Sequence, residues 1–127
     1  MKILSLPALL FSLVSVSEAK KFQRCEVTTT MRKAGLDLYY GYSLENWICM
    51  AYYGSKFNSG AVSGSNRHGS QNYGIFQISS RWWCSDGKGK TANGCRIPCS
   101  KLMDDDLQDD ILCAKRIVRD RKRRMNA

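Results

Sequence analysis

Six cysteines are the feature that most restricts how this chain of 127 residues can fold. They are Cys25, Cys49, Cys84, Cys95, Cys99 and Cys113. In a small exported domain, cysteines at such spacings form disulfides that supplement a small hydrophobic core. A zinc site is the alternative, but only Cys95 and Cys99 are close in sequence, and the single histidine, His68, is remote from them. The cysteines therefore predict a small, disulfide-stapled domain.

The N-terminal segment predicts export. A short basic start precedes an apolar run over Ile3–Val16, and a small-residue ending closes at Ala19. This is the layout of a secretory signal peptide, and the run is too short to span a bilayer comfortably. We expect residues 1–19 to be a signal peptide and residues 20–127 to form one secreted, extracellular domain without a membrane span.

The chain is strongly basic, with a formal net charge of +9. Such a charge favours anionic partners: bacterial wall polymers, anionic lipid or, without specificity, nucleic acid. The densest cationic run is Arg119 together with residues 121–124. The alternative is that the charge serves solubility and that the run only complements a helix C-terminus. We expect a monomer that binds cell-wall saccharide or an anionic surface, and no specific nucleic-acid partner.

Hydrophobic periodicity predicts an α+β domain that is mainly helical. Two helices are expected over Cys25–Ala34 and Leu44–Tyr53, the second capped by Ser43. The residues from Tyr73 to Ile78 have strand character and indicate a small antiparallel hairpin. A third helix should run from about Asp106 to Asp120, burying five apolar side chains. These are Leu107, Ile111, Ala114, Ile117 and Val118.

Several segments together closely resemble the c-type lysozyme and α-lactalbumin family. They are Lys21–Glu26, Ala34–Asp37, Gly41–Cys49, Asn72–Ile78, Ser80–Cys84 and Cys95–Ser100. The resemblance runs from Lys20 to Ala127 and implies the lysozyme fold. It also implies the disulfides Cys84–Cys99 and Cys95–Cys113. The family partners of Cys25 and Cys49 lie in a C-terminal segment that this sequence lacks, so these two are unpaired, bonded to each other, or a sign that the sequence is incomplete, which we favour.

The two carboxylates that such enzymes use are replaced. Cleavage of a glycosidic bond needs one carboxylic acid to protonate the leaving oxygen and a second carboxylate about 5–5.5 Å away. The resemblance aligns Gly54 with the first and Asn72 with the second. Glycine has no proton to transfer and asparagine has no charge, and no other acidic pair replaces them. The sequence therefore predicts that the chain has no hydrolase activity.

The sugar-binding residues of the family are kept in part. The resemblance assigns Trp82 and Trp83 to a platform on which N-acetyl sugars stack, and it assigns Gln77 and Asp120 to polar positions of the cleft. The alternative for Trp83 is an ordinary core residue. We expect weak saccharide binding.

Five aspartates between Asp104 and Asp110 predict a calcium site. Clustered carboxylates repel one another, and a hard cation with oxygen ligands offsets that repulsion. The spacing does not fit an EF-hand, but it resembles the calcium loop of α-lactalbumin and calcium-binding lysozymes. That resemblance assigns as ligands the side chains of Asp104, Asp109 and Asp110 and the carbonyls of Lys101 and Asp106. The alternative is that the aspartates only stabilise the start of a helix.

Three functions follow from these observations. The first is a secreted, calcium-binding, lysozyme-like protein without catalysis, which binds saccharide or an anionic surface. The second is an active lysozyme that hydrolyses peptidoglycan, which turnover of that polymer would reveal. The third is an α-lactalbumin-like regulatory subunit of a galactosyltransferase, which binding to that enzyme would reveal.

Overall fold

The computed structural model describes residues 18–64, 69–89 and 91–120. Its helices are α1 (Arg24–Lys33), α2 (Leu44–Ser55), a 3₁₀ helix (Cys99–Leu102) and α3 (Gln108–Arg119), and its strands are β1 (Val62–Ser63), β2 (Asn72–Tyr73) and β3 (Ile78–Ser79). Two helices, a small sheet and a further helix confirm the predicted α+β class. The predicted signal peptide up to residue 17, His68 and the basic run 121–124 lie outside the described residues.

The first two helices begin where their capping residues stand. At the start of α1, Gln23 and Glu26 form a reciprocal capping box, in which the Gln23 backbone N–H donates to the Glu26 carboxylate at 2.8 Å. At the start of α2, the Ser43 hydroxyl accepts the Asn46 N–H at 3.4 Å, as the sequence predicted. The α2 helix extends two residues beyond the predicted end, to Ser55, and stops where Lys56 adopts a left-handed conformation.

The sheet is a three-stranded antiparallel meander in the order β1-β2-β3. Tyr73 pairs with Val62 on one side and with Ile78 on the other. The antiparallel hairpin predicted at Tyr73–Ile78 is confirmed, but only the ends of this segment are strand, because residues 74–77 form the turn between β2 and β3. Gly74 and Gln77 have positive φ angles, and the Gln77 N–H donates to the Gly74 carbonyl at 3.0 Å. The apolar residues of this turn are buried, so they resemble a buried strand in sequence.

The core is built around Trp47 on α2, which has no exposed surface. Phe76 of the sheet turn meets its indole edge-to-face with the ring centroids 6.1 Å apart, and Tyr42 does the same from the preceding loop. All five apolar side chains predicted for the third helix are buried. The turn between β2 and β3 is therefore packed between the helices.

Two disulfides tie the loop after the sheet to the rest of the domain. The pairs are Cys84–Cys99 and Cys95–Cys113, the two that the family resemblance implied, with Cα atoms 5.0 and 5.4 Å apart. Cys25 and Cys49 are unpaired and exposed. In the described part of the chain, no helix combines the length and the apolarity needed to cross a membrane.

The α3 helix begins two residues later than predicted because aspartates shape the turn before it. The Asp104 carboxylate accepts the Asp106 N–H at 3.1 Å, and the Asp106 carboxylate accepts the Gln108 N–H at 3.0 Å. Short polar side chains compete in this way with the helical hydrogen bonds. The helix ends at Arg119, with Asp120 as its C-terminal cap.

We predict that Gly74→Ala strongly destabilises the fold. Gly74 has a φ angle of 81°, and an added Cβ would lie 2.1 Å from the Leu102 carbonyl oxygen and 2.6 Å from an Asp110 carboxylate oxygen. The expected loss in the free energy of unfolding is more than about 3 kcal/mol, since overlap adds to backbone strain. Thermal or denaturant unfolding measures it.

Gly41→Ala is the matched control for this substitution. Gly41 has a φ angle of 85°, but no atom lies within 4 Å of an added Cβ. Only backbone strain remains, which costs about 1 kcal/mol. Equal losses for the two variants would show that the close approach of Gly74 to Leu102 and Asp110 is unimportant.

Candidate functional site

An apolar groove opens between α2, the sheet turn and α3. It has a volume of about 50 Å³ and is lined by Trp47, Met50, Phe76, Gln77, Ile78, Ser79, Trp83, Ala114, Ile117 and Val118. No aspartate or glutamate is among these lining residues. A groove without a carboxylate offers neither a proton for a leaving group nor a charge for a cationic intermediate.

The positions aligned with the catalytic carboxylates lie close to Gln77. Gly54 is in the last turn of α2, and a Cβ added to it would lie 3.4 Å from Gln77 Cγ. Asn72 is in β2, paired with Ser63 and Ser79. The Ser63 hydroxyl donates to the Gln77 side-chain carbonyl, so Gln77 is bonded to the strand beside Asn72. The structure therefore brings Gly54, Asn72 and Gln77 into one neutral, polar neighbourhood.

The Gln77 side chain is held rigidly. Its amide nitrogen donates to the carbonyls of Ala61 and Gly74, both at 3.0 Å. These bonds use the donor capacity of the amide within the sheet. Gln77 therefore forms a fixed part of the groove wall. The family resemblance assigned it to a polar position of the cleft, but its hydrogen-bond partners were not predicted.

The other predicted saccharide residues divide into two groups. Trp83 lines the groove with only 4% of its surface exposed, and within the described residues its indole N–H has no hydrogen-bond partner. Trp82 is half-buried with the Arg81 guanidinium 4.9 Å from its ring, and Asp120 follows the end of α3. Neither Trp82 nor Asp120 lines the groove. Gln77 and Trp83 are thus the predicted pair that the structure brings together.

The remaining acidic residues serve other contacts. A hydrogen bond from the Gln23 backbone lowers the pKa of Glu26, and Lys20 lowers it further through a 2.8 Å ion pair. Asp37 accepts the Leu44 N–H at 3.0 Å. Asp86 accepts the Lys88 N–H at 2.9 Å in an exposed loop. None of them lines the apolar groove.

The acidic loop brings its aspartates close to one another. Burial raises the pKa of Asp109, and the charges of Asp106 and Asp104 raise it further, while Lys101 partly opposes them. Lys101 lies in the 3₁₀ helix that leads into the loop. The predicted ligands therefore interact electrostatically in the folded chain.

Asp110 is the most unusual member of this loop. Its side chain is fully buried, and neither carboxylate oxygen makes a hydrogen bond of normal geometry within the described residues. Burial raises the pKa of Asp110 to about 9. The backbone N–H of Asp110 partly opposes this, as does that of Ile75, while the charges of Asp104 and Asp109 raise the pKa further. Burying an unpaired carboxylate is costly unless a cation or a proton neutralises it.

The donor set fits calcium, although the site is not preformed. Within the described ranges, no three acidic, histidine or cysteine side chains converge closely enough to hold a metal ion. However, Asp110 supplies two unpaired carboxylate oxygens, and Asp104 and Asp109 lie near enough to raise its pKa. Calcium accepts such oxygens in flexible arrangements, together with backbone carbonyls.

The contact of the sheet turn with Asp110, which buries its carboxylate, was not predicted from the sequence. Gly74 and Ile75, from the sheet turn, pack against Asp110, more than thirty residues later in the chain. The usable signal was a glycine in an apolar run, which often marks a close backbone approach. Its partner could not be known without the fold.

Comparison with known proteins gives consistent results. Residues 20–126 match the model of the C-type lysozyme/alpha-lactalbumin family. The chain is 52% identical to donkey (Equus asinus) lysozyme C over 103 residues, 81% of this chain and 80% of that protein. It is 52% identical to a bovine (Bos taurus) milk isozyme of lysozyme C over 121 residues, 94% of this chain and 81% of that protein.

A crystal structure of canine milk lysozyme in its apo-type form is similar in fold. Its TM-score is 0.78, with 50% sequence identity over 81% of this chain and 80% of that one. A holo-type structure of canine milk lysozyme is also similar, at 49% identity and a TM-score of 0.77.

We predict that Asp110 makes the metal-free protein less stable as pH rises. The pKa of the Asp110 carboxyl is raised from its ordinary value of 3.8 to about 9 in the folded state. As pH rises, the unfolded chain therefore loses this proton before the folded chain does. Stability from this group is complete below about pH 4 and is lost as pH rises toward 9. Asp110→Asn should remove this dependence and stabilise the chelator-treated protein near pH 8. Asp105→Asn, at an exposed neighbour, is the matched control.

Melting temperatures of the three proteins in chelator at about pH 5 and about pH 8 test this prediction. The unmodified protein and Asp105→Asn should lose more stability between the two pH values than Asp110→Asn does. The same pH response in all three would show that folding does not raise the pKa of Asp110.

Proposed function

The chain belongs to the C-type lysozyme/alpha-lactalbumin family, and we propose that it is a secreted, calcium-binding member that binds saccharide without hydrolysing it. The observation that carries the proposal is the surroundings of Gln77. Gly54 lies beside it, Asn72 pairs with the Ser63 to which it is hydrogen-bonded, and no acidic residue lines the apolar groove on its other side. General acid catalysis alone contributes about 10²–10⁴-fold to such reactions. Removing both carboxylates leaves a binding surface without the means to break a glycosidic bond.

Weak saccharide binding is supported by the polar groups that remain. Trp83 has a buried indole N–H with no partner in the described chain, and the side-chain carbonyl of Gln77, which accepts one hydrogen bond from Ser63, lies on the same groove wall. Hydroxyl and acetamido groups of a sugar are complementary to such donors and acceptors. With a volume of about 50 Å³, the groove is too small to enclose a sugar ring, so a saccharide would lie across its mouth. Binding of this kind is shallow and weak.

Calcium binding is supported by the buried, unpaired Asp110 carboxylate next to Asp104 and Asp109. When bound, calcium would neutralise carboxylates that otherwise repel one another. Asp109 and Asp110 lie in the first turn of α3, and Ala114, Ile117 and Val118 of the same helix line the apolar groove. The ion would therefore stabilise the helix that supports the binding surface.

Secretion is supported by the two disulfides, which form and persist in oxidising compartments. Two of the related proteins named above are milk lysozymes. The segment predicted to direct export lies mostly outside the described residues.

The first test of this function is turnover of peptidoglycan. We predict that the purified protein does not clear a suspension of bacterial walls, while an intact lysozyme assayed in parallel does. NMR titration with chitotriose should nevertheless shift resonances of Trp83 and Gln77. Clearance at a rate comparable to that of the intact lysozyme would contradict the proposal and favour an active enzyme.

Variants separate missing chemistry from a damaged fold. Gly54 does not have a positive φ angle, and its added Cβ would make only an ordinary 3.4 Å contact with Gln77, so a substitution there brings neither backbone strain nor overlap at Cβ. Gly54→Glu combined with Asn72→Asp supplies both carboxylates, whereas Gly54→Gln is a control of equal length without a proton to donate. Any gained turnover should appear in the double variant and not in the glutamine control.

The second test is the response of thermal stability to calcium. We predict that calcium raises the melting temperature relative to chelator, because the ion binds the folded chain and not the unfolded one. At a calcium concentration one hundred times the Kd, the free energy of unfolding rises by about 2.7 kcal/mol. For a domain of this size, each kcal/mol raises the melting temperature by very roughly 4–8 °C. Asp109→Asn should lose the response, and Asp105→Asn should keep it. Coinciding melting curves with and without calcium for the unmodified protein would show that the loop only caps a helix.

A further inference from the structure

A second groove lies on the outer side of α3, away from the apolar groove. It runs between α3 and the loop of residues 94–97, which the Cys95–Cys113 disulfide joins together. Its volume is about 490 Å³, within the range of small-molecule sites. It shares no lining residue with the apolar groove. Nothing in the proposed saccharide or calcium function uses it as a binding site.

Three arginines dominate the charge of this groove, which we call the arginine groove. Arg96 comes from the loop and Arg116 and Arg119 from α3, against a single acidic residue, Asp109. The formal charge of its lining is therefore +2. Asp109, the acidic residue of the lining, forms no ion pair with these arginines within the described residues.

The arginines on α3 are held by aromatic side chains. Arg119 donates to the Tyr39 hydroxyl at 3.0 Å, and the Arg116 guanidinium lies 6.0 Å from the centre of the Trp83 ring. Contacts of this kind restrict the side chains without neutralising their charge. Each guanidinium retains further N–H donors for a ligand.

The loop that carries Arg96 is rigid and strained. Arg96 has a φ angle of 54°, a left-handed conformation that asparagine adopts more readily than arginine. Two hydrogen bonds from the loop to Asn93 hold it: the Arg96 N–H donates to the Asn93 carbonyl and the Ile97 N–H to the Asn93 side chain, both at 2.9 Å. An arginine at such a position costs stability, and strain of this kind concentrates at functional sites.

We propose that the arginine groove binds a phosphomonoester group. A phosphomonoester carries a charge of about −1.5 to −2 near neutral pH, which matches the +2 of the groove lining better than a carboxylate or a sulfate ester does. Its oxygens accept paired hydrogen bonds from the planar guanidinium groups. Leu112, which is 60% exposed, and Ile97 give the groove an apolar wall for the remainder of the ligand. The inference is independent of the saccharide and calcium proposals.

The test is calorimetric or NMR titration of the full chain with glucose 6-phosphate. Glucose and glucose 6-sulfate serve as uncharged and singly charged controls. Chelator is present throughout, because Asp109 lines the groove and is also a proposed calcium ligand, and the ionic strength is near physiological to screen diffuse attraction. Binding of the phosphate that exceeds binding of both controls is expected. Equal binding of phosphate and sulfate would overturn the proposal.

Substitutions locate the binding. Arg96→Asn suits the left-handed backbone, so it should preserve or raise thermal stability while weakening phosphate binding by about tenfold or more, the loss expected for a charge-assisted hydrogen bond. Arg116→Gln should weaken it similarly. Arg32→Gln removes the same charge from the exposed end of α1 and should change the affinity by less than about twofold. Similar effects of all three substitutions would show general electrostatic attraction and overturn the proposal.

A final comparison identifies the source of the phosphate. Vesicles of phosphatidylcholine with phosphatidic acid present the same group on a membrane, and pure phosphatidylcholine vesicles are the control. If both the vesicles and glucose 6-phosphate bind in a way that depends on Arg96, the result supports the groove and a lipid source. Such binding to the sugar phosphate alone supports the groove and a soluble source. If neither the vesicles nor glucose 6-phosphate shows binding that depends on Arg96, the proposal is overturned.

Discussion

The packing of Gly74 against Leu102 and Asp110 is the constraint on which the rest of this structure depends. It joins the turn of the small sheet to the 3₁₀ helix and to the first turn of α3, and no side chain fits at residue 74. The same turn places Phe76 against Trp47 at the centre of the core and holds Gln77 at the saccharide groove. In exchange, the carboxylate of Asp110 is removed from water without a hydrogen-bond partner in the described chain. The calcium that we propose for this loop would relieve that cost, so it would act on the residues that join the sheet to the helices.

Much of the helical framework could be predicted from the sequence because its signals are local. Ser43 caps α2 as expected, and the five apolar residues of the third helix are all buried. Disulfide pairing is not a local property, and it followed from resemblance rather than from spacing. The hairpin at Tyr73–Ile78 was predicted, but not that residues 74–77 are its turn, because burial makes a turn as apolar as a strand. Its positive φ angles at Gly74 and Gln77 are what distinguish it, and they are not visible in a hydrophobic pattern.

Site residues that lie in one contiguous segment could be predicted from the sequence. Contacts between site residues of different segments could be predicted less well. The acidic loop is contiguous, so its aspartates could be recognised together, but the burial of Asp110 by Gly74 and Ile75 could not. Trp82 and Trp83 are adjacent in sequence, yet only Trp83 lines the groove. Arg96 joins the helix arginines only through the disulfide that brings its loop to α3. Contacts between distant segments decide each of these outcomes.

The residues at positions 54 and 72 can differ between relatives without loss of the fold, for a physical reason. Gly54 is exposed at the end of α2, and Asn72 is half-buried in a two-residue strand whose pairing uses its backbone. Neither side chain supports the core, so both positions can change while Trp47 and its neighbours stay packed. The α3 helix, in contrast, serves three surfaces: Asp110 faces the sheet turn, Ala114 and Ile117 face the saccharide groove, and Arg116 and Arg119 line the arginine groove. The ion that we propose at its first turn would therefore stabilise the helix that lines both grooves, and the acidic loop would then have a role that does not depend on catalysis.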